Sequence, residues 1–281
     1  MKLNRKNKLL IGLVVVAIIL IAKLFSIQII NDKYKMDAEN NSMVYSTIFP
    51  TRGIINDRYG NILVGNKVAY DLLVTPREIE QFDTLTFCKV LDVTPEFVRE
   101  KMEEFRKNRR KIGYQSVVML KQIPPETYMR FAEVAYKFPG FRGQARSIRE
   151  YPFNAGGNLL GYVSEVNQKF IEQHPGEYRS GDYAGQTGIE AAREKELRGV
   201  KGYNIYLRNS KNKIESRYKD GEFDKEAIPG DDIMTTIDAE LQHYGQMLMA
   251  NKVGSLVAIE PSTGEILTMV SSPGIDVDQL A

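Results

Sequence analysis

Two short strings in the chain carry the residue types of a serine acyl-transfer site. Ser210 and Ser216 each precede a lysine by three positions, in Ser210-Lys211-Asn212-Lys213 and Ser216-Arg217-Tyr218-Lys219. On a helix this spacing brings the lysine one turn from the serine, where it can manage the proton of a serine nucleophile. The first string also has an S-x-N form, but no K-[ST]-G string occurs in the sequence.

The surroundings of these serines argue against catalysis. A catalytic S-x-x-K pair needs its serine at the start of a buried helix, with the lysine one turn on and facing it, and residues 209–221 are instead rich in lysine, arginine, asparagine and aspartate. S-x-x-K is also a weak pattern in a lysine-rich chain. We therefore predict no catalytic residue in this chain.

Metal, cofactor and nucleic-acid sites are not predicted either. The single cysteine, Cys88, is flanked by Phe87 and Val90, which indicates a buried thiol, and the two histidines, His174 and His243, are far apart. The net charge is only +2, whereas a nucleic-acid-binding domain is usually strongly basic. The basic run at Arg106–Lys111 is typical of a solvated helix end.

The N-terminus predicts a membrane anchor. Basic residues within positions 1–8 precede an apolar segment over residues 9–30, about the ~20 residues that a bilayer core requires. The basic tail favours a cytoplasmic N-terminus with the remainder exported. A cleaved signal peptide is the less favoured alternative because no A-x-A-like site follows Ala22, and a buried core helix would show a polar face.

The segments after the anchor alternate between strand-like and helix-like patterns. Residues 42–48, 54–64 and 68–74 predict strands, with a turn at Asp57–Gly60. Thr94-Pro95 and Pro124-Pro125 predict helix starts, and residues 117–120 predict a short strand between those helices. Residues 67–140 thus form a predicted α/β insertion in a β-rich body.

The last fifty residues give a clear pattern. A strand is predicted over 232–237, followed by a helix that Asp238 caps and that presents Leu241, Tyr244 and Leu248 on one apolar face. Two apolar strands, 254–260 and 265–271, flank the turn at Pro261–Gly264. Two strands alone do not make a finished domain.

Several blocks of this sequence resemble class B penicillin-binding proteins, in the order which that family shows. The blocks are Arg52-Gly53-Ile54-Ile55-Asn56-Asp57-Arg58-Tyr59-Gly60-Asn61-Ile62-Leu63, Arg149-Glu150-Tyr151-Pro152 with Leu160-Gly161-Tyr162-Val163, Gly185-Gln186-Thr187-Gly188-Ile189-Glu190 with Leu197-Arg198-Gly199, Pro229-Gly230-Asp231 through Leu241-Gln242, and Ala258–Leu267. Tyr70–Arg77 and Gly161–Asn167 look closer to the elongation (cell-shape) type than to the division type.

The resemblance implies a fold class and a domain order. A single transmembrane helix (9–30) behind a cytoplasmic tail (1–8) would lead into an α+β, β-rich pedestal domain (31–230) of the dimerisation type, with the inserted subdomain at about 67–140. Residues 231–281 would begin a truncated transpeptidase α/β domain.

The resemblance also implies a function and partners. The full-length protein would be a peptidoglycan D,D-transpeptidase of the inner membrane that cross-links stem peptides and binds penicillin, with its catalytic serine beyond Ala281. A polytopic glycan polymerase and a periplasmic cell-shape scaffold would bind the anchor and pedestal, and peptidoglycan would bind the missing domain. The alternative is a complete, non-catalytic, membrane-anchored scaffold for cell-wall synthesis partners.

Charged residues and glycines recur in three of the blocks, and we expect them to be structural. These residues are Arg52, Gly53, Asp57, Arg58, Gly60, Arg149, Pro152, Gly188, Glu190, Arg198 and Gly199. Our hypothesis is that the three blocks meet and that Glu190 pairs with an arginine of the first block, with Arg52 as the preferred partner. The alternative is that all of these charges are solvated, in which case a pair would contribute only ~0–1 kcal/mol.

Overall fold

A computed structural model describes residues 43–112, 116–153, 155–208 and 214–275, together with Val14, Ala17 and Leu20; for 109–112 and Glu215 it describes the backbone only. The predicted anchor at 9–30 otherwise lies outside the described residues. No helix in the described part of the chain combines the length and apolar character needed to cross a membrane.

The chain divides into two compact units. One comprises residues 1–47 and 203–225, and the other comprises 48–202 and 226–281. The smaller unit is built on a three-stranded sheet of β1 (Met43–Ile48), β8 (Gly202–Arg208) and β9 (Ile214–Arg217), in the order β1-β8-β9. A 3₁₀ turn at Tyr218–Gly221 follows β9.

The larger unit contains a five-stranded sheet. Its order is β10-β2-β3-β4, and β5 pairs with the other side of β3. Smaller two-stranded sheets are formed by β6 with β7 and by β11 with β12. The strands are β2 (Ile55–Asn56), β3 (Ile62–Val74), β4 (Val117–Ile123), β5 (Phe141–Glu150), β6 (Val163–Glu165), β7 (Tyr183–Gly185), β10 (Ile233–Met234), β11 (Gly254–Ile259) and β12 (Ile266–Ser272).

Three helices begin where the sequence predicts them, at Pro95, Pro125 and Ala239. The Thr94 hydroxyl accepts a hydrogen bond from the Phe97 N–H, and Asp238 accepts one from the Leu241 N–H, so both residues cap a helix start. The helices are α1 (Thr84–Leu91), α2 (Pro95–Ile112), α3 (Pro125–Val134), α4 (Gly157–Leu160), α5 (Gln168–Gln173), α6 (Gly188–Ala192), α7 (Glu194–Leu197) and α8 (Ala239–Leu248), with a 3₁₀ turn at Ala135–Lys137.

Two predictions about these elements were wrong. Residues 62–74 form one strand, not two, because β5 pairs with β3 without interruption from Gly65–Glu150 to Val74–Phe141. The strand predicted over 232–237 is limited to β10, which pairs in parallel with β2.

The predicted apolar face of α8 was also wrong. Tyr244 and Leu248 are exposed, and the buried residues are Ala239, Gln242 and Gly245. The Gln242 side chain bonds to both the N–H and the carbonyl of Met269, and a Cβ at Gly245 would lie 3.1 Å from Val270. The helix therefore approaches β12 through a polar side chain and a small residue.

The main apolar core of the larger unit lies between α1, α2, α3 and the β3-β4-β5 sheet. Its fully buried side chains include Leu72, Phe87, Phe131 and Phe138. Cys88 is also buried here, as expected. A second apolar cluster, which includes Ile55, Val64, Leu160 and Leu197, lies beside the charged residues described next.

Candidate functional site

Glu190 is the centre of a buried ion cluster, which we define as Arg52, Arg149, Glu190 and Glu194. The Glu190 side chain is 0% exposed. Its Oε2 accepts a hydrogen bond from Arg52 Nε at 2.7 Å, and its Oε1 accepts one from Arg149 Nε at 2.8 Å. The predicted pairing of Glu190 with Arg52 is confirmed, and the alternative of a solvated carboxylate is excluded.

Three distant segments supply these groups. Arg52 precedes β2, Arg149 lies near the end of β5, and Glu190 occupies the first turn of α6. Gly188, at the start of α6, has φ +61°, and a Cβ there would lie 2.4 Å from the carbonyl oxygen of Leu159. A glycine is needed at this position because other residues would both be strained and collide with the backbone.

The first segment is bound on both sides by main-chain hydrogen bonds. The Gly53 N–H donates to the Leu197 carbonyl at 2.8 Å, and the Gly230 N–H donates to the Thr51 carbonyl at 3.0 Å. A Cβ at Gly53 would lie 1.9 Å from the Asp231 oxygen. This close approach places Arg52 against α6 and α7.

Two members of the site were missed by sequence reasoning. Glu194 Oε2 lies 2.5 Å from Arg52 Nη2, and Asn66 bonds to both the Arg149 guanidinium at 2.8 Å and the Arg52 carbonyl at 2.6 Å. Glu194 follows Glu190 by four positions, a spacing that would place both side chains on one face of a continuous helix, so the sequence could have pointed to it even though Glu194 begins the next helix, α7. Asn66 is opposite Arg149 through the β3-β5 register, which the sequence does not display.

The two arginines experience different electrostatic environments. Burial alone would lower the pKa of Arg52, but hydrogen bonds and the charges of Glu194 and Glu190 outweigh burial and raise it. Burial lowers the pKa of Arg149, the like charge of Arg52 adds to that effect, and Glu190 only partly opposes it. Both guanidinium groups remain charged at neutral pH because arginine titrates far above it.

A second polar centre lies at the turn that joins β2 to β3. Asp57 is 0% exposed and accepts hydrogen bonds from the N–H groups of Tyr59 (2.8 Å), Asn61 (2.8 Å) and Ala239 (3.3 Å), and from the Asn61 side chain (2.9 Å). Burial opposes ionisation, but these bonds outweigh it and lower the pKa of Asp57.

This turn contacts the last part of the chain. The bond from Ala239 joins Asp57 to the first residue of α8, and the Arg58 N–H donates to the Ile237 carbonyl at 2.9 Å. Arg58 Nη2 lies 3.2 Å from Glu265 and 3.5 Å from Glu260, at the turn between β11 and β12. The Asp57-Arg58 turn therefore holds both the helix and the hairpin.

The remaining predicted structural residues lie apart from the ion cluster. Arg198 pairs with Glu177 at 2.8 Å in a partly exposed position, so this arginine does not join Glu190. Pro152 is exposed. Gly60 has φ +88° in the β2-β3 turn, and Gly199 has φ +65° where a Cβ would lie 2.4 Å from the Ile228 oxygen.

Ser216 lies in a setting unlike a nucleophile site. It is an exposed residue of strand β9, and Lys219 lies in the following 3₁₀ turn. Ser216 and Lys219 therefore do not lie one turn apart on a helix, as a catalytic S-x-x-K pair would. Ser210 to Lys213 lie outside the described residues.

The geometry of the ion cluster suits a mechanical role. Both oxygens of Glu190 accept charge-assisted hydrogen bonds, which are among the strongest in proteins. Removing either partner would leave an unpaired buried charge, which is strongly destabilising. Only segments that bring both charges together form the cluster without this penalty. The arrangement can therefore hold the three segments that carry Arg52, Arg149 and Glu190 in fixed positions relative to one another.

Comparisons with known proteins agree with this organisation. Residues 47–235 match the family model described as the penicillin-binding protein dimerisation domain. The peptidoglycan D,D-transpeptidase MrdA of Haemophilus influenzae is 29% identical over 276 residues, and that of Escherichia coli K12 is 30% identical over 279 residues; each alignment covers 95% of this chain. Penicillin-binding protein 3 of Bacillus subtilis is 27% identical over 86% of the chain.

The chain spans less than half of these relatives, 41% of the H. influenzae protein and 42% of the E. coli protein. A solved structure, the complex between PBP2 and MreC from Helicobacter pylori, shares the fold with a TM-score of 0.60 at 22% identity and covers 85% of this chain. The fold is thus a mixed α/β, sheet-rich, pedestal-like one. Because the family model matches well over half of the sequence and the matched span contains the whole ion cluster, this chain belongs to the penicillin-binding protein dimerisation domain family.

Proposed function

We propose that this chain is the anchor and pedestal part of a peptidoglycan D,D-transpeptidase of the cell-elongation type. The names of the MrdA relatives and their alignment over 95% of the chain support this assignment. In this proposal the pedestal holds the transpeptidase domain away from the membrane, and the parent protein cross-links stem peptides.

One observation carries the proposal. The segment that resembles the opening of a transpeptidase domain is bonded to the pedestal by the Asp57-Arg58 turn, through Ile237, Ala239, Glu260 and Glu265. The turn belongs to the first signature block, and its contacts lie up to 207 positions away in the sequence. A pedestal whose signature residues bind the first helix and hairpin of the next domain would set the position of that domain.

Penicillin acylation tests where the chemistry lies. A fluorescent penicillin should label the full-length parent and leave the purified 281-residue chain unlabelled. Covalent labelling of this chain that disappears in Ser210→Ala or Ser216→Ala would overturn the assignment of the catalytic serine to the region beyond Ala281.

The membrane anchor and topology belong to the same proposal. The N-terminus would be cytoplasmic, with a single span at 9–30 and the remainder in the periplasm. Tyr136 is 78% exposed, so Tyr136→Cys offers a site for an impermeant thiol reagent, whereas the native Cys88 is buried. Labelling is expected in intact spheroplasts, and labelling only after lysis would reverse the proposed topology.

A complete, non-catalytic scaffold is the second candidate, because the pedestal fold is shared with the PBP2 of a solved complex with MreC. Both candidates include a periplasmic cell-shape scaffold and a polytopic glycan polymerase as partners. The genomic reading frame separates them. Continuation past Ala281 into an S-x-x-K serine supports the transpeptidase, and a stop codon there supports the scaffold.

A further inference from the structure

A cavity of about 450 Å³ lies beside strand β5 of the larger unit. Four consecutive residues of that strand, Arg146 to Arg149, line it. Successive side chains of a strand point to opposite faces, so a cavity lined by four in a row reaches the strand edge; Gln122 of β4, on the other side of β3, lines it as well. In the described part of the chain β5 pairs with β3 on one side and with no strand on the other. Alternate N–H and C=O groups on that open edge point away from β3.

Basic side chains outnumber acidic ones in the wall of the cavity, although Arg198 pairs with Glu177 and Lys201 with Asp182. Five basic side chains line it, and only Glu177 and Asp182 contribute carboxylates. The carboxylates that pair with Arg52, Arg149 and Arg146 lie outside the lining. The five basic residues are Arg52, Arg146, Arg149, Arg198 and Lys201, and the outer carboxylates are Glu190, Glu194 and Asp71.

Two neighbouring groups of the wall lack a hydrogen-bond partner. The Arg149 side chain is 2% exposed; its Nε and Nη1 donate to Glu190 and Asn66, but its Nη2 has no acceptor among the described residues. The Ser147 hydroxyl, two positions earlier on the same face of β5, also has no partner there. Buried donors of this kind normally have an acceptor, so the site is built to receive one.

We propose that this cavity binds an extended acidic peptide of a protein partner. The peptide adds a strand to the open edge of β5, and one of its carboxylates accepts hydrogen bonds from Arg149 Nη2 and Ser147 Oγ. Strand addition of this kind takes its affinity from main-chain bonds and its selectivity from side-chain pockets. Phe49, Val163 and Tyr183 in the wall contact the apolar side chains between the acidic ones. This inference does not depend on where the catalytic serine lies.

Fluorescence anisotropy on the complete chain in mild detergent tests the proposal. The probe is a fluorescein-labelled, C-terminally amidated hexapeptide of alternating valine and glutamate, and its control replaces each glutamate by glutamine. The acidic peptide should bind at least about tenfold more tightly, because hydrogen bonds to charged groups are the stronger ones. It should also bind more weakly as the salt concentration rises. Equal binding of the two peptides, or binding of neither, would overturn the carboxylate site.

A matched pair of variants tests the location while all four residues of the ion cluster stay unsubstituted. Ser147→Asp places a carboxylate beside Arg149, whereas Ser147→Asn places an uncharged amide of the same shape there. Ser147→Asp should therefore weaken binding of the acidic peptide at least about tenfold more than Ser147→Asn does. Circular dichroism shows whether both variants are folded. If the two variants bind the peptide alike, the carboxylate lies elsewhere. If sedimentation shows that the chain self-associates and that the dimer excludes the peptide, the edge belongs to a second copy and the proposal fails.

Discussion

The apolar core and the ion cluster of the larger unit hold distant segments together by different physical means. The core around Phe87 spans residues 72–141, and its rings approach closely, with Phe87 and Phe141 centroids 4.9 Å apart. The ion cluster joins Arg52 to Glu190 across 138 positions. Both regions contain fully buried side chains, so burial alone does not distinguish them.

The difference lies in what each region tolerates. Hydrophobic packing is non-directional, and a core accepts substitutions that keep volume and apolar character. A buried ion pair requires particular partners in particular positions and is strongly destabilised when one is removed. The core should therefore tolerate a change of shape better than the ion cluster tolerates a change of charge.

Substitution of Glu190 is the most severe way to break the ion cluster. Glu190→Ala should lower the free energy of unfolding by about 3–5 kcal/mol, because it leaves Arg52 and Arg149 buried without their shared carboxylate. Glu190→Gln should cost nearly as much, since it keeps the shape but removes the charge. Urea unfolding followed by circular dichroism measures both. Glu196→Ala is the matched control because Glu196 is 44% exposed in its pair with Arg193, and a much smaller loss of stability is expected there.

Phe87 provides the corresponding test of the apolar core. Phe87→Ala should lower the free energy of unfolding by about 3–5 kcal/mol, whereas Phe87→Leu should cost roughly half as much because most of the apolar volume remains. Leu85→Ala, on the same helix but 73% exposed, should change it by less than about 0.5 kcal/mol. If Phe87→Leu were as costly as Phe87→Ala, the proposed contrast with Glu190 would be lost.

A double-mutant cycle isolates the Arg52–Glu190 contact. The coupling free energy between Arg52→Ala and Glu190→Ala should be about 2 kcal/mol, within the range for residues in one charged network. Arg130 and Asp92 form a pair in which both side chains are more than half exposed, and their coupling should be ~0–1 kcal/mol. A coupling below about 0.5 kcal/mol for Arg52 and Glu190 would make the two sites independent.

Local signals in the sequence predict the elements of both regions well. Thr94 and Asp238 cap helices as their residue types predict, and the turn at Asp57–Gly60 joins two antiparallel strands. The Arg52–Glu190 pair was also predicted, because charged residues and glycines recur in blocks that resemble one family.

Other features that depend on long-range pairing could not be predicted. The continuity of β3 through Gly65 and Asn66 depends on its register with β5. The orientation of α8 depends on Gln242, whose side chain replaces a main-chain partner for Met269. Asn66 joins the ion cluster for the same reason: register places it opposite Arg149, and no local property of the sequence marks it.

Asp57 is a second buried carboxylate, and its hydrogen-bond partners differ from those of Glu190. The four hydrogen bonds that the structure gives it come from N–H groups of uncharged residues, and they lower its pKa below the ordinary value of 3.8 despite burial. A carboxyl group whose pKa is lower in the folded state stabilises the fold above its unfolded pKa. That contribution is lost as the pH falls through the folded pKa.

Part of the stability that the fold loses at acidic pH should therefore come from Asp57. This is the smallest of the four effects predicted here. Between neutral pH and the region below about pH 4, Asp57→Asn should lose less stability than the wild type does, because the substituted amide does not titrate in this range. Urea unfolding of both proteins at a series of pH values measures the difference, and Asp83→Asn is the control. Asp83 also has a lowered pKa from local hydrogen bonds, but it caps only α1.

Amide exchange tests whether Asp57 also holds α8 against the turn. If it does, Asp57→Asn should increase amide exchange at Ala239, and Asp83→Asn should not. Unchanged exchange at Ala239 would show that Asp57 stabilises its own turn alone, and that the turn does not hold the helix in place.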